Sequence, residues 1–316
     1  MTNREIRKDL NRAKEIYHAK NYQEAFDIYD KRYSQAPERF DDWDRVRYCW
    51  CMYYLFIRDS NDETELVEYT EMITETVRQE DLNKRPVCVY AQSVFKVIMF
   101  LKKRDDWEYM LYWLDKLNPK LLSENEKESG DSRYASKKED YYKYLSTAYL
   151  KCGDWQECID ASQEALDTIT SFAFNGDIWH KWRMAKSYNK LGDAEDALCL
   201  LYEVVKVRKD WYILKELADC SYQVAEDYDA LKYASQAVLT DDPVNVKVNL
   251  YYLIYNILKC TDNDLALKHA KLYLAIKLES GAQIAEDIED LNLDEDNLDI
   301  SELEAEIRDY WAKNSP

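Results

Sequence analysis

One spacing, present twice in the second half of the chain, constrains the fold more than any other feature. Tyr142-x-x-Leu145-Ser146-x-x-Tyr149-x-x-x-Gly153-Asp154 continues to Cys158 and Ala165-Leu166. Trp182-x-Met184-Ala185-x-x-Tyr188-x-x-x-Gly192-Asp193 continues to Ala197. Both times a small residue stands three before a tyrosine, a glycine follows four after it, and another small residue comes five after the glycine. Apolar residues on either side keep helical spacing, so the glycine reads as the end of one helix and the start of its return. Glycine tolerates the left-handed backbone such an end needs, and the small residues let two antiparallel helices approach closely.

Weaker copies fall into the same register. Leu214-x-x-Leu217-Ala218 leads to Tyr228-x-Ala230, Ala237 and Pro243, and Leu250-x-x-Leu253-Ile254 leads to Leu265-Ala266 and Ala270. Near the start, Ala13 and Ile16 precede Tyr22-x-x-Ala25-x-x-x-Tyr29 and Pro37. Ile98 and Leu101 precede Trp107-x-x-Met110-x-x-x-Leu114 and Pro119. The anchors Cys158, Ala197, Ala230 and Ala266 lie 39, 33 and 36 residues apart. Residues 40–80 read as a degenerate hairpin with helices Asp41–Arg58 and Glu63–Gln79, and 120–140 as a polar insertion.

The pattern resembles the tetratricopeptide repeat (TPR), whose period is about 34 residues. That resemblance implies an all-α, TPR-like α-solenoid of antiparallel helix hairpins stacked in a right-handed superhelix. About twelve to fourteen antiparallel helices and no β-sheet are expected, with the repeats covering residues 1–280. Residues 281–316 form an acidic C-terminal segment with a short amphipathic helix at 301–312. The stretches Trp113–Pro119, Lys137–Tyr142 and Arg208–Tyr212 are similar to TPR arrays of prokaryotic conflict systems, some of which carry an S1 or cold-shock-like domain. No such β-domain follows here, so the family's nucleic-acid role does not transfer.

Composition supports helices and narrows the chemistry. Five Gly and five Pro in 316 residues are too few for a turn-rich β fold, and the glycines never cluster into a phosphate loop. Eight scattered Cys without a C-x-x-C pair, and three distant His, give no recognised metal spacing. They read as thiols of a reducing compartment. His180, beside Trp179 and Trp182, reads as a surface imidazole. No signal peptide or membrane span is apparent, which points to a soluble, cytoplasmic protein. No catalytic motif, cofactor or metal is expected.

Charge shapes the expected partner. The net charge is −19, and twelve acids without Lys or Arg lie between Glu279 and Glu306. Elsewhere, the first helix of each later repeat presents aromatic and basic residues at inner-stripe spacing. The expected groove comprises Lys143; Trp179, Trp182, Lys186, Asn189 and Lys190; Tyr212, Lys215 and Tyr222; and Tyr251 and Tyr255. Lys151 and Lys247 share these stripes. Such a groove suits an acidic or amphipathic protein segment, and the function expected is a non-catalytic protein-protein interaction scaffold. The alternative is an accessory of a mobile-element or defence system touching nucleic acid through the same groove, and a homodimer is a further option. In the tail, Ser301-x-x-Glu304 reads as a capping box. Leu303, Ile307, Tyr310 and Trp311 behind it form a docking motif expected to detach, whereas Ile284, Ile288 and Leu291 read as an end cap.

Overall fold

The computed structural model describes residues 3–85, 87–124, 127–129, 132–294 and 298–316. The chain divides into two compact units, Met1–Phe174 and Asn175–Pro316. Unit 1 contains four hairpins: α1 (Asn3–His18) with α2 (Tyr22–Tyr33), α3 (Asp42–Met52) with α4 (Glu63–Thr76), α5 (Val89–Lys103) with α6 (Trp107–Asp115), and α7 (Lys137–Cys152) with α8 (Trp155–Thr168). A π-helical turn, Tyr53–Ile57, extends α3 toward α4. Unit 2 contains three: α9 (Gly176–Leu191) with α10 (Ala194–Val204), α11 (Trp211–Gln223) with α12 (Asp227–Val238), and α13 (Val248–Leu258) with α14 (Asn263–Ser280). A short α15 (Glu286–Glu289) and α16 (Ile300–Asn314) complete it. Among the described residues, no helix is long and apolar enough to cross a membrane.

Small-residue pairs sit at the seams of α1–α2, α7–α8, α9–α10 and α11–α12. Ser146 and Cys158 are fully buried, and the Cys158 thiol donates to the Ser146 carbonyl at 3.2 Å. A side chain on one helix thus touches the backbone of the other. Ala13 with Ala25, Ala185 with Ala197, and Ala218 with Ala230 are equally buried. Ile254 with Ala266 repeats the arrangement with one larger partner. Bulky residues such as Leu10, Tyr29, Leu101, Leu114, Leu201, Leu217 and Leu250 fill the core around them.

Gly153 (φ 85) and Gly192 (φ 93) take the left-handed conformation expected of them. The following N–H of Asp154 and Asp193 returns to the carbonyl of Tyr149 and Tyr188, at 3.0 and 2.9 Å. Three of the four weaker repeats close the same way without glycine, whereas between α13 and α14 Asp262 N–H returns only to the Leu258 carbonyl. Lys20 (φ 61), Asp105 (φ 55) and Ala225 (φ 61) occupy the equivalent place. Asn21, Asp106 and Glu226 donate back to Ile16, Leu101 and Ser221.

Two features depart from expectation. The insertion folds as a small two-stranded antiparallel ladder, β1 (Lys127–Ser129) against β2 (Ser132–Tyr134), with Lys127 opposite Tyr134. The expectation of no β-sheet is thus corrected by this short ladder. The C-terminal helix begins at Ile300, and Asp299 rather than Ser301 caps it, accepting from the Glu302 N–H at 3.0 Å.

Helix α16 is an end cap of unit 2, not a detached motif. It packs on α12 and α14, with Ile307 and Trp311 fully buried and Leu303 and Tyr310 half-buried beside them. Ile288 is buried in the same core, and Ile284 and Leu291 pack against it. The Trp311 indole N–H donates to His269 Nε2 at 2.9 Å, while His269 Nδ1 lies 2.7 Å from the Leu265 carbonyl. Both bonds are made together when Nδ1 carries the ring proton and Nε2 is free to accept. Gln236 Nε2 donates to the Ser315 carbonyl at 2.6 Å, and Lys268 lies 3.8 Å from Glu306. Packing is favoured because detachment would expose the Trp311 indole and the Ile307 side chain to water.

Two measurements follow. Gly192 has no atom within 4 Å of an added Cβ, so Gly192→Val is penalised only by its backbone conformation, by about 1–3 kcal/mol. Ala225→Gly relieves the same strain and stabilises by about 0.5–1 kcal/mol after the entropy of the freer unfolded chain is subtracted. Urea denaturation reads both, and a destabilising Ala225→Gly would contradict the shared closure.

The buried His269 adds a pH dependence. Burial pushes its pKa down from 6.5 to about 4. Between those values the unfolded chain takes up a proton that the folded one refuses. Stability therefore falls as pH drops through this window, on the order of 1 kcal/mol per pH unit. Burial lowers the pKa of His180 too, so its share is superimposed. His269→Gln, which still accepts from Trp311, is expected to remove about one proton's worth of slope in urea midpoints between pH 7 and pH 5. An identical slope in the variant would clear His269 of the effect.

Candidate functional site

The first helices of unit 2, α9 and α11, bring together most of the residues expected to bind. Trp179 and Trp182 lie edge to face with centroids 6.0 Å apart. Tyr212, near the start of α11, stacks nearly parallel to Trp179 at 6.5 Å and edge-on to Trp182 at 5.6 Å. The Arg208 guanidinium sits 5.3 Å over the Trp179 ring and is held in place by Asp210 at 2.9 and 3.0 Å. Lys186 Nζ lies 4.9 Å over Trp182. The result is an aromatic cluster with cations resting on its faces, an arrangement worth about 0.5–1 kcal/mol per exposed contact.

The cluster continues into polar rungs joining α9 to α11. Lys186 pairs with Glu216 at 3.4 Å, and Gln223 Nε2 donates to Asn189 Oδ1 at 2.6 Å. Along α11, Lys215 pairs with Asp219. Burial pushes the Asp219 carboxyl up, and the Lys215 charge draws it back down. Lys190 is exposed and has no ion pair among the described residues. The expected lysine stripe is thus largely neutralised by Glu216 and Asp219.

Five residues stand elsewhere than expected. Tyr251 is fully buried and lies 5.8 Å from Trp311, and Tyr255 is 6% exposed. A 3-10 turn, Val244–Lys247, precedes α13 and shifts its stripe by one residue. Tyr252, Asn256 and Lys259 hold the half-buried and exposed positions instead. There Tyr222 Oη donates to the Asn256 carbonyl at 3.4 Å and Lys259 Nζ to Asn256 Oδ1 at 2.7 Å. Lys247, placed on the stripe by spacing, is 2% exposed, and its ammonium donates to the Val238 and Thr240 carbonyls. His180 is 1% exposed, not a surface imidazole, and burial carries its pKa far down. Lys143 belongs to unit 1, where it pairs with Asp140 at 2.9 Å and lies over Tyr144.

Among the described residues, no group of His, Cys, Asp and Glu could hold a metal ion. No protein-family model and no curated protein matches the chain by sequence. Solved structures similar to it include the APC/C hetero-tetramer Cut9–Hcn1, at 10% identity and TM-score 0.47, covering 90% of this chain but only 46% of that one. BtubC from P. vanneervenii is similar at 13% identity and TM-score 0.45 over 71% of this chain and 91% of its own. A tetratricopeptide repeat protein from Parabacteroides merdae is similar at 12% and 0.40, over 90% and 96%. At these values the reading of the fold rests on the caps and small-residue pairs themselves. They define a tetratricopeptide-like array of helical hairpins.

The two tryptophans differ in what they support. Trp182 packs against two buried clusters, one of Ile178, Val204 and Ile213 and the other containing Ala185, Ala197 and Leu217. Its buried indole N–H has no partner among the described residues. Trp182→Ala is therefore expected to cost roughly 2–4 kcal/mol of stability, and Trp179→Ala under about 1 kcal/mol. Chemical denaturation of the two variants checks the order, and equal losses would place Trp179 in the core.

Proposed function

We propose that the protein is a non-catalytic interaction scaffold that holds an amphipathic segment of a protein partner on the α9–α11 face. The observation that carries this reading is the half-buried Trp179–Trp182–Tyr212 cluster, roofed by Arg208 and bordered by exchangeable polar rungs. Large rigid aromatics with a neighbouring Arg supply contact area at low entropy cost, the usual composition of a binding hot spot. Glu216 and Asp219 compensate the lysines, so specificity comes from packing and rung exchange more than from long-range attraction. The anionic groups also make this face a poor bed for nucleic-acid phosphates, since such binding depends on unopposed cations.

Selection of 16-residue display peptides on the full chain, followed by titration, tests the reading. Trp179→Ala and Arg208→Glu are expected to weaken the selected peptides at least tenfold, about 1.4 kcal/mol each, with the fold retained. Peptides that bind both variants as tightly as the parent would remove this face from the function.

A further inference from the structure

Unit 1 contains a second Trp–Arg arrangement built like the first. In unit 2 the tryptophan stands on the first helix of a hairpin, and the arginine on the loop that leaves the second helix. Arg208 lies three residues before α11 and covers Trp179 on α9. In unit 1, Arg85 lies four residues before α5 and covers Trp43 on α3, with its guanidinium 4.9 Å from the ring centroid. Each arginine is held by a loop acid, Asp210 in one case and Glu80, at 3.0 Å, in the other. Two hairpins with little sequence in common arrive at the same device.

The unit 1 copy is the more open. Trp43 is 53% exposed and Val87 51% exposed, although both are large and apolar. Val46 and Trp50 follow Trp43 along one stripe of α3, and the loop after α4 brings Val77 beside them. Three cavities of about 370, 160 and 400 Å³ overlap around Val46 and Glu80. Exposed apolar side chains grouped on the rim of a cavity have the composition of a contact site.

Charge indicates what covers it. Arg85 is matched by Glu80, and Lys84 by Asp81 at 3.1 Å. That leaves Arg45 and Arg78 against Asp42 on the cavity rim, one cation in excess in a chain of net charge −19. Arg78 is exposed and has no ion pair among the described residues. Arg45 donates to the Pro37 carbonyl at 3.1 Å. The chain's own acidic helix, α16, is not the occupant, because Ile307 and Trp311 are spent in the unit 2 core.

We propose that the Trp43–Arg85 shelf is a second docking site, which takes an extended protein segment carrying an apolar side chain next to a carboxylate. The apolar side chain enters between Trp43, Trp50 and Val87, and the carboxylate meets Arg78. This site does not depend on the α9–α11 reading and can stand if that reading fails.

The test uses the full chain with ¹⁵N-labelled tryptophan indoles, the Trp43 resonance being assigned with Trp43→Phe. The probe is a pool of octapeptides with leucine fixed beside aspartate and the other positions randomised. The control pool has lysine in place of that aspartate. The aspartate pool is expected to shift the Trp43 indole saturably, the lysine pool at least tenfold more weakly. Arg78→Glu is expected to weaken the aspartate pool at least tenfold, and Trp179→Ala to leave it unchanged. Arg78 is exposed, and circular dichroism confirms the fold of its variant. Equal response to both pools, no saturable shift at millimolar peptide, or an unaffected Arg78→Glu would overturn the proposal. So would tighter, salt-sensitive binding of oligo(dT) at the same resonance, which would assign the shelf to nucleic-acid bases, or loss of the free Trp43 resonance on self-association.

Discussion

Close approach of two helices at a pair of small residues is the constraint on which the structure depends. Where Ser146 meets Cys158, a thiol touches the opposing backbone, so small side chains at the two positions let the helices approach closely. Close approach sets how far the flanking leucines and tyrosines reach, and hence which of them fill the core. It also requires the chain to reverse within three or four residues. A single left-handed residue achieves this by returning the next N–H to the carbonyl five positions earlier. Core, turn and helix direction therefore form one linked requirement, repeated along the chain.

Much of this was legible in the sequence, because the requirement leaves compositional marks. Gly153 and Gly192 announce their turns, and Cys158, Ala197, Ala230 and Ala266 announce the seams. The turns at Lys20, Asp105 and Ala225 were not legible as left-handed, since the residues there tolerate that conformation without advertising it. A strand ladder of three residues per side carries too little periodicity to be read at all. On α13 the reading slipped by one residue because a 3-10 turn advances the chain differently from an α-helix. That slip put Tyr251 on an open face, when it lies beneath α16.

The candidate sites were less legible, for an electrostatic reason. Spacing could line up Lys186, Asn189 and Lys215, but the groups that compensate them, Glu216, Gln223 and Asp219, come from a neighbouring helix or a different turn. In a chain with 62 acidic residues, nothing in the order of residues singles out those few. The Trp43 shelf was missed because half of it lies in a loop. The signal that was available is Trp43, Val46 and Trp50 at intervals of three and four, on a stripe where a buried helix would not place two indoles.

Under the proposed function, the rungs between α9 and α11 separate what the fold needs from what a partner would meet. Lys186 with Glu216 and Asn189 with Gln223 bridge the outward faces of helices whose attachment is already secured by Ala185, Ala197 and Leu217 beneath them. Exchanging the two ends of a rung, or replacing a charged rung with an amide one, would alter the pattern of donors and acceptors presented without disturbing a seam. If this face binds as proposed, recognition there is separable from the fold. Lineages carrying the same hairpins could change partners by editing two residues at a time, and a protein engineer could do the same.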